Sequence, residues 1–303
     1  MVDANSSLLE DEGVRARVDH DWAGRTALWL VRVVPVAWLG VFFLAPLAIT
    51  IVYSFANATY GGVSLGFTLS NFQQALSGLY LTIFLRTMEF AAIGTSACLL
   101  VGMPVAYYLA RKVTRWRGLL LVLLLVPFWT SFLIRTLAWL TLLGADGPIR
   151  SALHSLGLIS GYLNIVDTQK AVLIGIIYAY LPLMTLPLVV AFERVPTELT
   201  EAAKDLGAGR IRTFLSVTLP VAKPGVITAI LLTAVPMTGE YVIPALLGGN
   251  KGVLLGGLIA GEYSVALNFA LGSAMAVLIL VVLGALVLVC TRSLRGFANA
   301  GAT

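Results

Sequence analysis

Apolar runs in this chain are long, and the polar segments between them are short. Nearly uninterrupted hydrocarbon extends from about Ala27 to Phe55, Thr87 to Ala110, Leu119 to Leu143, Ala171 to Phe192 and Leu267 to Cys290. A further run begins near Pro224 and breaks up around "PMTGEYVIP". A helix needs roughly 20 apolar residues to cross a hydrocarbon core about 30 Å thick. The pattern therefore predicts an all-α polytopic membrane protein with six transmembrane helices. The connections differ in character. Residues 1–26 form a polar, acidic tail, expected inside the cell and not a cleavable signal, because the apolar run behind it is too long. The uncharged stretch "ANATYGGVSLGFTLSNFQQALSG" reads as an external loop, and "RKVTRWR" as a short internal one. Residues 144–170 include "GPIRSALHSLGLISGYL", which suggests short surface helices, and residues 291–303 form a C-terminal tail.

Composition supports this picture: 59% of the 303 residues are hydrophobic and 12% charged, against about 45–50% and about 25% in a soluble domain. The net charge of +5 does not point to nucleic acid, because the basic residues sit at helix ends rather than on one soluble face. Their distribution predicts orientation, since internal loops attract Lys and Arg. With the N-terminus inside, fifteen basic residues fall on the internal side. Four fall outside (Arg86, Arg150, Lys170, Lys251), and Arg135 lies within the third span. Both termini, "RKVTRWR" and residues 193–223 are thus expected in the cytoplasm. Cys98 and Cys290 lie within apolar runs and are expected as small core residues. His20 and His154 are isolated, so no metal site is expected.

Residues 193–223 stand out by their regularity. In Thr197 to Leu206, the residues Leu199, Ala202, Ala203 and Leu206 recur at i, i+3, i+4 and i+7, one face of a helix. Glu198, Glu201, Lys204 and Asp205 occupy the other face. Pro196 suits the helix start, and Gly207 is placed to end it in a left-handed conformation. Ile211, Phe214 and Leu215 predict a second short helix, ended by Pro220 and Pro224. Periodicity alone describes an amphipathic elbow on a membrane surface.

The residues carry more than the period does. "EAAKDLGAGRIRTFLSVTLP" resembles the signature loop of ATP-binding-cassette importer permeases: Glu-Ala-Ala, three residues, Gly, nine residues, then Ile-x-Leu-Pro. Glu201, Ala202, Ala203, Gly207, Leu219 and Pro220 match at full spacing, with Val217 in the place of Ile. The resemblance covers residues 86–290 and implies the type I importer transmembrane domain, with the elbow as a coupling helix docked in a groove of a separate ATPase subunit. It implies as partners a second permease subunit, two ATPase subunits and an extracytoplasmic solute-binding protein, in the inner membrane of a bacterium. The chain has no G-x-x-x-x-G-K-[ST] phosphate loop. ATP and Mg are accordingly expected on the ATPase, and no cofactor, catalytic residue or enzyme activity is expected on this chain.

Ionisable residues within spans are costly and commonly face a cavity or a partner. Glu89 is open to two readings: a pathway acid, or a residue near the external end that snorkels or pairs with Arg86. Arg135 pairs with an acid or with loop carbonyls in its structural reading. Glu240 lies among Pro236, Gly239 and Pro244, and broken helices at membrane depth often mark transporter binding sites. Its alternative is an exposed helix end. "PFWTSFLIRTLAW", "AYLPLMTLPL" and "GEYVIPALLGG" resemble permeases of spermidine and putrescine systems. A polyamine is a polycation, which Glu240 with Trp129, Tyr180 or Tyr241 would hold by charge and cation–π contact; membrane anchoring is the other reading of those aromatics. The alternatives in view are an importer for another small solute, such as ferric iron, a phosphonate or an opine-like compound, and an ATP-independent carrier or channel.

Overall fold

The computed structural model describes residues 31–59, 61–64, 66–157 and 165–300. The N-terminal tail and the first residues of the first run lie outside them. Six helices among the described residues are long and apolar enough to cross a membrane: Val31–Ser54, Gly78–Arg111, Phe132–Ser155, Gln169–Glu193, Arg210–Thr238 and Phe269–Leu294.

The first helix, α1 (Val31–Ser54), belongs largely to a unit that clusters apart from Ser54–Thr303. It carries a π-helical turn at Gly40–Leu44, directly before Pro46. Proline has no N–H to give the preceding turn, and a π-bulge shifts the hydrogen-bond register around such a gap.

In the second unit, an antiparallel pair β1 (Asn57–Thr59) and β2 (Gly62–Ser64) is in register at Ala58 and Val63. Asn71, in α2 (Ser70–Ala75), donates to the carbonyls of Ser54 (3.1 Å) and Ala56 (2.8 Å) and so ties the loop down. The second span starts earlier than its hydropathy suggested. α3 runs from Gly78 to Arg111, 34 residues, because "GLYLTIFL" already belongs to the helix ahead of Thr87.

The third span is broken. α4 (Arg117–Leu125) passes into a 3₁₀ turn at Val126–Trp129, and α5 (Phe132–Leu143) begins after Thr130 and Ser131, both extended or near-extended. Pro127 removes a helical donor there. Arg135 serves the break: its Nη1 donates to the Pro127 carbonyl at 2.8 Å, and its guanidinium lies 5.1 Å from the Phe128 ring centre. The loop-carbonyl reading of Arg135 is the one the fold adopts. A bend at 144–147 leads to α6 (Pro148–Ser155), one of the expected short helices.

α7 (Gln169–Glu193) is the centre of the second unit, packed between α3 and α9 (Arg210–Thr238). Val172, Ile176, Met184, Leu188 and Phe192 are fully buried on it. Small residues allow these contacts. A Cβ on Gly225 of α9 would lie 2.2 Å from the Cβ of Ala191, and one on Gly94 of α3 would lie 2.7 Å from Met237 Sδ. Close backbone approach of this kind is the membrane substitute for a hydrophobic driving force.

Pro220 and Pro224 do not end the second elbow helix, contrary to the sequence expectation. α9 is continuous through both, with a π-helical segment at Phe214–Thr218 in which the Leu219 N–H donates to the Phe214 carbonyl. After a break at Gly239–Tyr241 come α10 (Val242–Leu247), a 3₁₀ turn Gly249–Lys251, and α11 (Leu255–Ser264). α12 (Phe269–Ala300) carries helix well past Cys290, where a tail was expected.

Candidate functional site: the elbow and the broken fifth span

The elbow follows α7 directly. Pro196 starts α8 (Thr197–Asp205), and Leu206 closes it. Gly207 has φ +82°. Its N–H donates to the Lys204 carbonyl (2.8 Å) and the Ala208 N–H to the Ala203 carbonyl (3.0 Å), the paired bonds of a Schellman motif. The expected left-handed stop is therefore present in full. Gly209 then opens α9, and buried Thr213 donates back to the Ala208 carbonyl at 3.3 Å. Both halves of the elbow are stiffened by their own backbone.

Apart from Phe214, which turns into the core, its apolar residues are left largely uncovered among the described residues. Leu206 is 89% exposed and Ile211 76%, with Leu199 and Leu215 also exposed. Glu201 and Ala202 are exposed, Ala203 half-buried. At the matched end, Leu219 packs against the core cluster and Pro220 is exposed.

Two arginines of "RKVTRWR" hold the root of the elbow. Arg111, the last residue of α3, donates from Nη2 to the Val195 carbonyl at 2.5 Å. Arg117 pairs with Glu193, the last residue of α7. Behind them Tyr107, Phe192 and Phe214 form a cluster with ring centres 5.2–5.9 Å apart, joining α3, α7 and the π segment of α9. Sequence reasoning counted these arginines only as internal charge. No local pattern marks their partners, because Arg117 and Glu193 are far apart in the chain.

At the other end of α9, Glu240 is 7% exposed. Oε2 accepts from the Tyr180 hydroxyl at 2.7 Å, and Oε1 accepts from the N–H groups of Val242 (2.8 Å) and Ile243 (3.2 Å). The carboxylate thus caps α10 and ties it to α7; negative charge is favourable at a helix N-terminus. Glu240 is neither an exposed helix end nor an unsatisfied acid. Of its expected companions, Tyr180 is in contact, Tyr241 is adjacent and half exposed, and Trp129 is 77% exposed at the α4–α5 break. No contact among the described residues joins Trp129 or Glu89 to Glu240. Glu89 is exposed on α3, and Arg86 donates to the Lys251 carbonyl (3.2 Å) instead of pairing with it. A second buried acid escaped sequence reasoning: Glu262 of α11, 9% exposed, accepts from the Tyr80 hydroxyl at 3.4 Å. Its Gly-rich surroundings read as loop.

Residues 99–295, which contain the elbow and Glu240, match the family described as "Binding-protein-dependent transport system inner membrane component". The chain belongs to this family. Among curated relatives of this permease, the spermidine/putrescine transport system permease protein PotB of Escherichia coli (strain K12) is 36% identical over 261 residues, 86% of this chain and 95% of the relative. PotB of Haemophilus influenzae is 34% identical over 258 residues, 85% and 90% of the two chains. Among solved structures, a chain of a bacterial ABC transporter involved in the import of the acidic polysaccharide alginate superimposes with a TM-score of 0.75. It covers 92% of this permease and 98% of that chain at 15% identity, a likeness of fold. The all-α, six-span architecture of an ABC importer transmembrane domain is therefore the architecture of this permease.

Proposed function

We propose that this permease forms the translocation pathway of an ATP-driven polyamine importer in the bacterial inner membrane. The substrate class rests on the likeness to the PotB proteins across most of both chains. The energy source rests on one observation: a self-stiffened elbow that presents Leu199, Leu206 and Ile211 outward and is held at its root by Arg111 and Arg117. An exposed apolar patch rimmed by Glu198, Glu201 and Asp205 is the surface of a docking element.

The partner is a separate ATPase, present in two copies, that binds ATP and Mg. A second permease subunit and an extracytoplasmic binding protein complete the assembly. Both termini and the elbow face the cytoplasm, as the charge distribution supports. ATPase closure pushes on α8, and the Tyr107–Phe192–Phe214 cluster passes the displacement into α3, α7 and α9 as a stiff body. The broken segment at Gly239–Tyr241 borders the route. Glu240 fixes its shape together with Tyr180, and Tyr241, Trp129 and Glu89 line the approach. An importer for a different small solute shares every feature of the elbow and differs only in the ligand.

The test is uptake by proteoliposomes holding the complete complex and its binding protein. Spermidine or putrescine uptake that requires ATP supports the reading. ATP-driven uptake of another solute alone would replace the polyamine, and polyamine uptake without the ATPase would make the permease a carrier.

A further inference from the structure

The π-helical segment Phe214–Thr218 joins the elbow to the rest of α9, and its hydrogen bonding is incomplete. In an α-helix the Leu219 N–H would bond the carbonyl four residues back, that of Leu215. Here it bonds Phe214, one residue further back. The next possible donor to Leu215 is residue 220, and Pro220 has no N–H. The Leu215 carbonyl therefore receives no backbone donor from the turn that follows it. One turn away, Thr218 is 0% exposed, and its hydroxyl has no hydrogen-bond partner. Thr87, Thr136, Thr185 and Thr233 are buried helical threonines that behave differently. Each donates its hydroxyl to the carbonyl four residues back, at 2.7–2.9 Å. For Thr218 that carbonyl belongs to Phe214, the one the Leu219 N–H occupies.

A buried donor and a buried acceptor left unmet so close together point to a second arrangement that joins them. A π-turn holds its bonds from i to i+5, so it moves by one residue when a single N–H changes carbonyl. Away from the elbow the move is blocked, because the new bond would need an N–H on Pro220. Towards the elbow it is open. The Leu219 N–H passes from Phe214 to Leu215, and the vacated Phe214 carbonyl takes the Thr218 hydroxyl. Both unmet groups then have partners. The present register is held by the Phe214 ring, whose centre lies 5.2 Å from that of Tyr107 and 5.9 Å from that of Phe192. Hydrogen bonding on one side and aromatic packing on the other make a two-state element. A residue passed by the π-turn rotates about 100° and advances about 1.5 Å relative to α9.

We propose that Thr218 is a positioning residue for energy coupling. A push on the elbow slides the π-turn one step towards Gly209, and the Thr218 hydroxyl holds the shifted register by taking the Phe214 carbonyl. Pro220 makes the slide one-way. The inference rests on the reading of the elbow as the coupling element and adds the device that carries its displacement into α9.

The experiment uses the assembled transporter in proteoliposomes with its binding protein loaded with spermidine or putrescine. It reads the ratio of stimulated to basal ATP hydrolysis, uptake and the melting temperature. Thr218→Val keeps the shape and removes a hydroxyl that has no partner in the present register. Its melting temperature should equal or exceed that of the wild type, while the stimulation ratio and uptake fall roughly two- to tenfold, the worth of one hydrogen bond in the shifted register. Thr218→Ser restores the hydroxyl and should restore coupling. Pro220→Ala supplies an N–H to Leu215 in the present register, and should also lower the ratio without lowering the melting temperature. A residue that served only packing would leave coupling intact in variants that melt no lower than the wild type. Normal coupling by Thr218→Val overturns the proposal. So does a lowered melting temperature in that variant, which would give the hydroxyl a partner in the present register, or a Thr218→Ser variant as uncoupled as Thr218→Val. Failure of the coupling reading itself shows in a different place: the wild type would take up solute without ATP, and the proposal would fall with it.

Discussion

Gly207 offers a separation between backbone strain and surface contact. Its φ of +82° lies in the left-handed region, which costs an L-residue roughly 1–2 kcal/mol. A Cβ built there meets nothing within 4 Å in this chain, so no clash adds to the strain. What opposes the strain is the pair of bonds from Gly207 N–H to Lys204 and from Ala208 N–H to Ala203, each contributing roughly 0.5–1.5 kcal/mol net. The two terms are comparable. A substitution that cannot hold the conformation therefore frays the end of α8 and loosens Leu206 and Ile211 relative to one another. Asn tolerates the left-handed region, Ala resists it, and a β-branched residue resists it most. The expected order of coupling efficiency is Gly, then Asn, then Ala, then Val, with Gly207→Val strongly uncoupled. The assay is substrate-stimulated ATP hydrolysis alongside uptake in proteoliposomes, with ATPase co-purification as the docking control. If Asn is as damaging as Val, the defect follows side-chain size in the partner's groove and not backbone conformation. If Val couples normally, the elbow is not the coupling element.

Arg117→Glu should weaken coupling and Glu193→Arg should partly restore it, because the pair is about a third exposed and worth only about 0.2–1 kcal/mol; failure of the swap to rescue would deny the pair a positioning role. Glu240→Ala should destabilise the protein by about 0.5–2 kcal/mol through loss of the α10 cap. Glu240→Gln keeps an acceptor for Val242 and Ile243, so a roughly ten- to hundredfold loss of polyamine uptake in that variant would isolate the charge, and normal uptake would remove that charge from the route. Single cysteines at Val113 and Gly209 should be shielded from an impermeant thiol reagent in intact cells while one at Gly62 reacts, and the reverse pattern would invert the topology. Gly225→Leu should abolish assembly of the α7–α9 pair, since Ala191 already stands 2.2 Å from the site of its Cβ; a stable, fully folded variant in a thermal melt would refute the close packing.

The span count and the elbow were legible in the chain itself because both are local. A run of twenty apolar residues and a glycine one step past an amphipathic period each declare their structure within a few turns. The same locality misled at prolines. Pro220 and Pro224 looked like stops, yet packing of α9 against α7, helped by the π segment at Phe214–Thr218, outweighs two missing donors. Hydropathy missed the first turns of α3 for a related reason: Gly and Ser near Gly78 lower the average although the helix is already under way. What tertiary structure alone decided is which side chains meet. Arg117 finds Glu193, Tyr180 finds Glu240, Tyr80 finds Glu262, and Arg86, Lys170 and Lys251 line one cavity. Each of these joins residues from different helices. Sequence period places a residue on a helix face, but only the rotation and crossing of the helices, fixed at Gly94 and Gly225 by close approach, determines what that face touches.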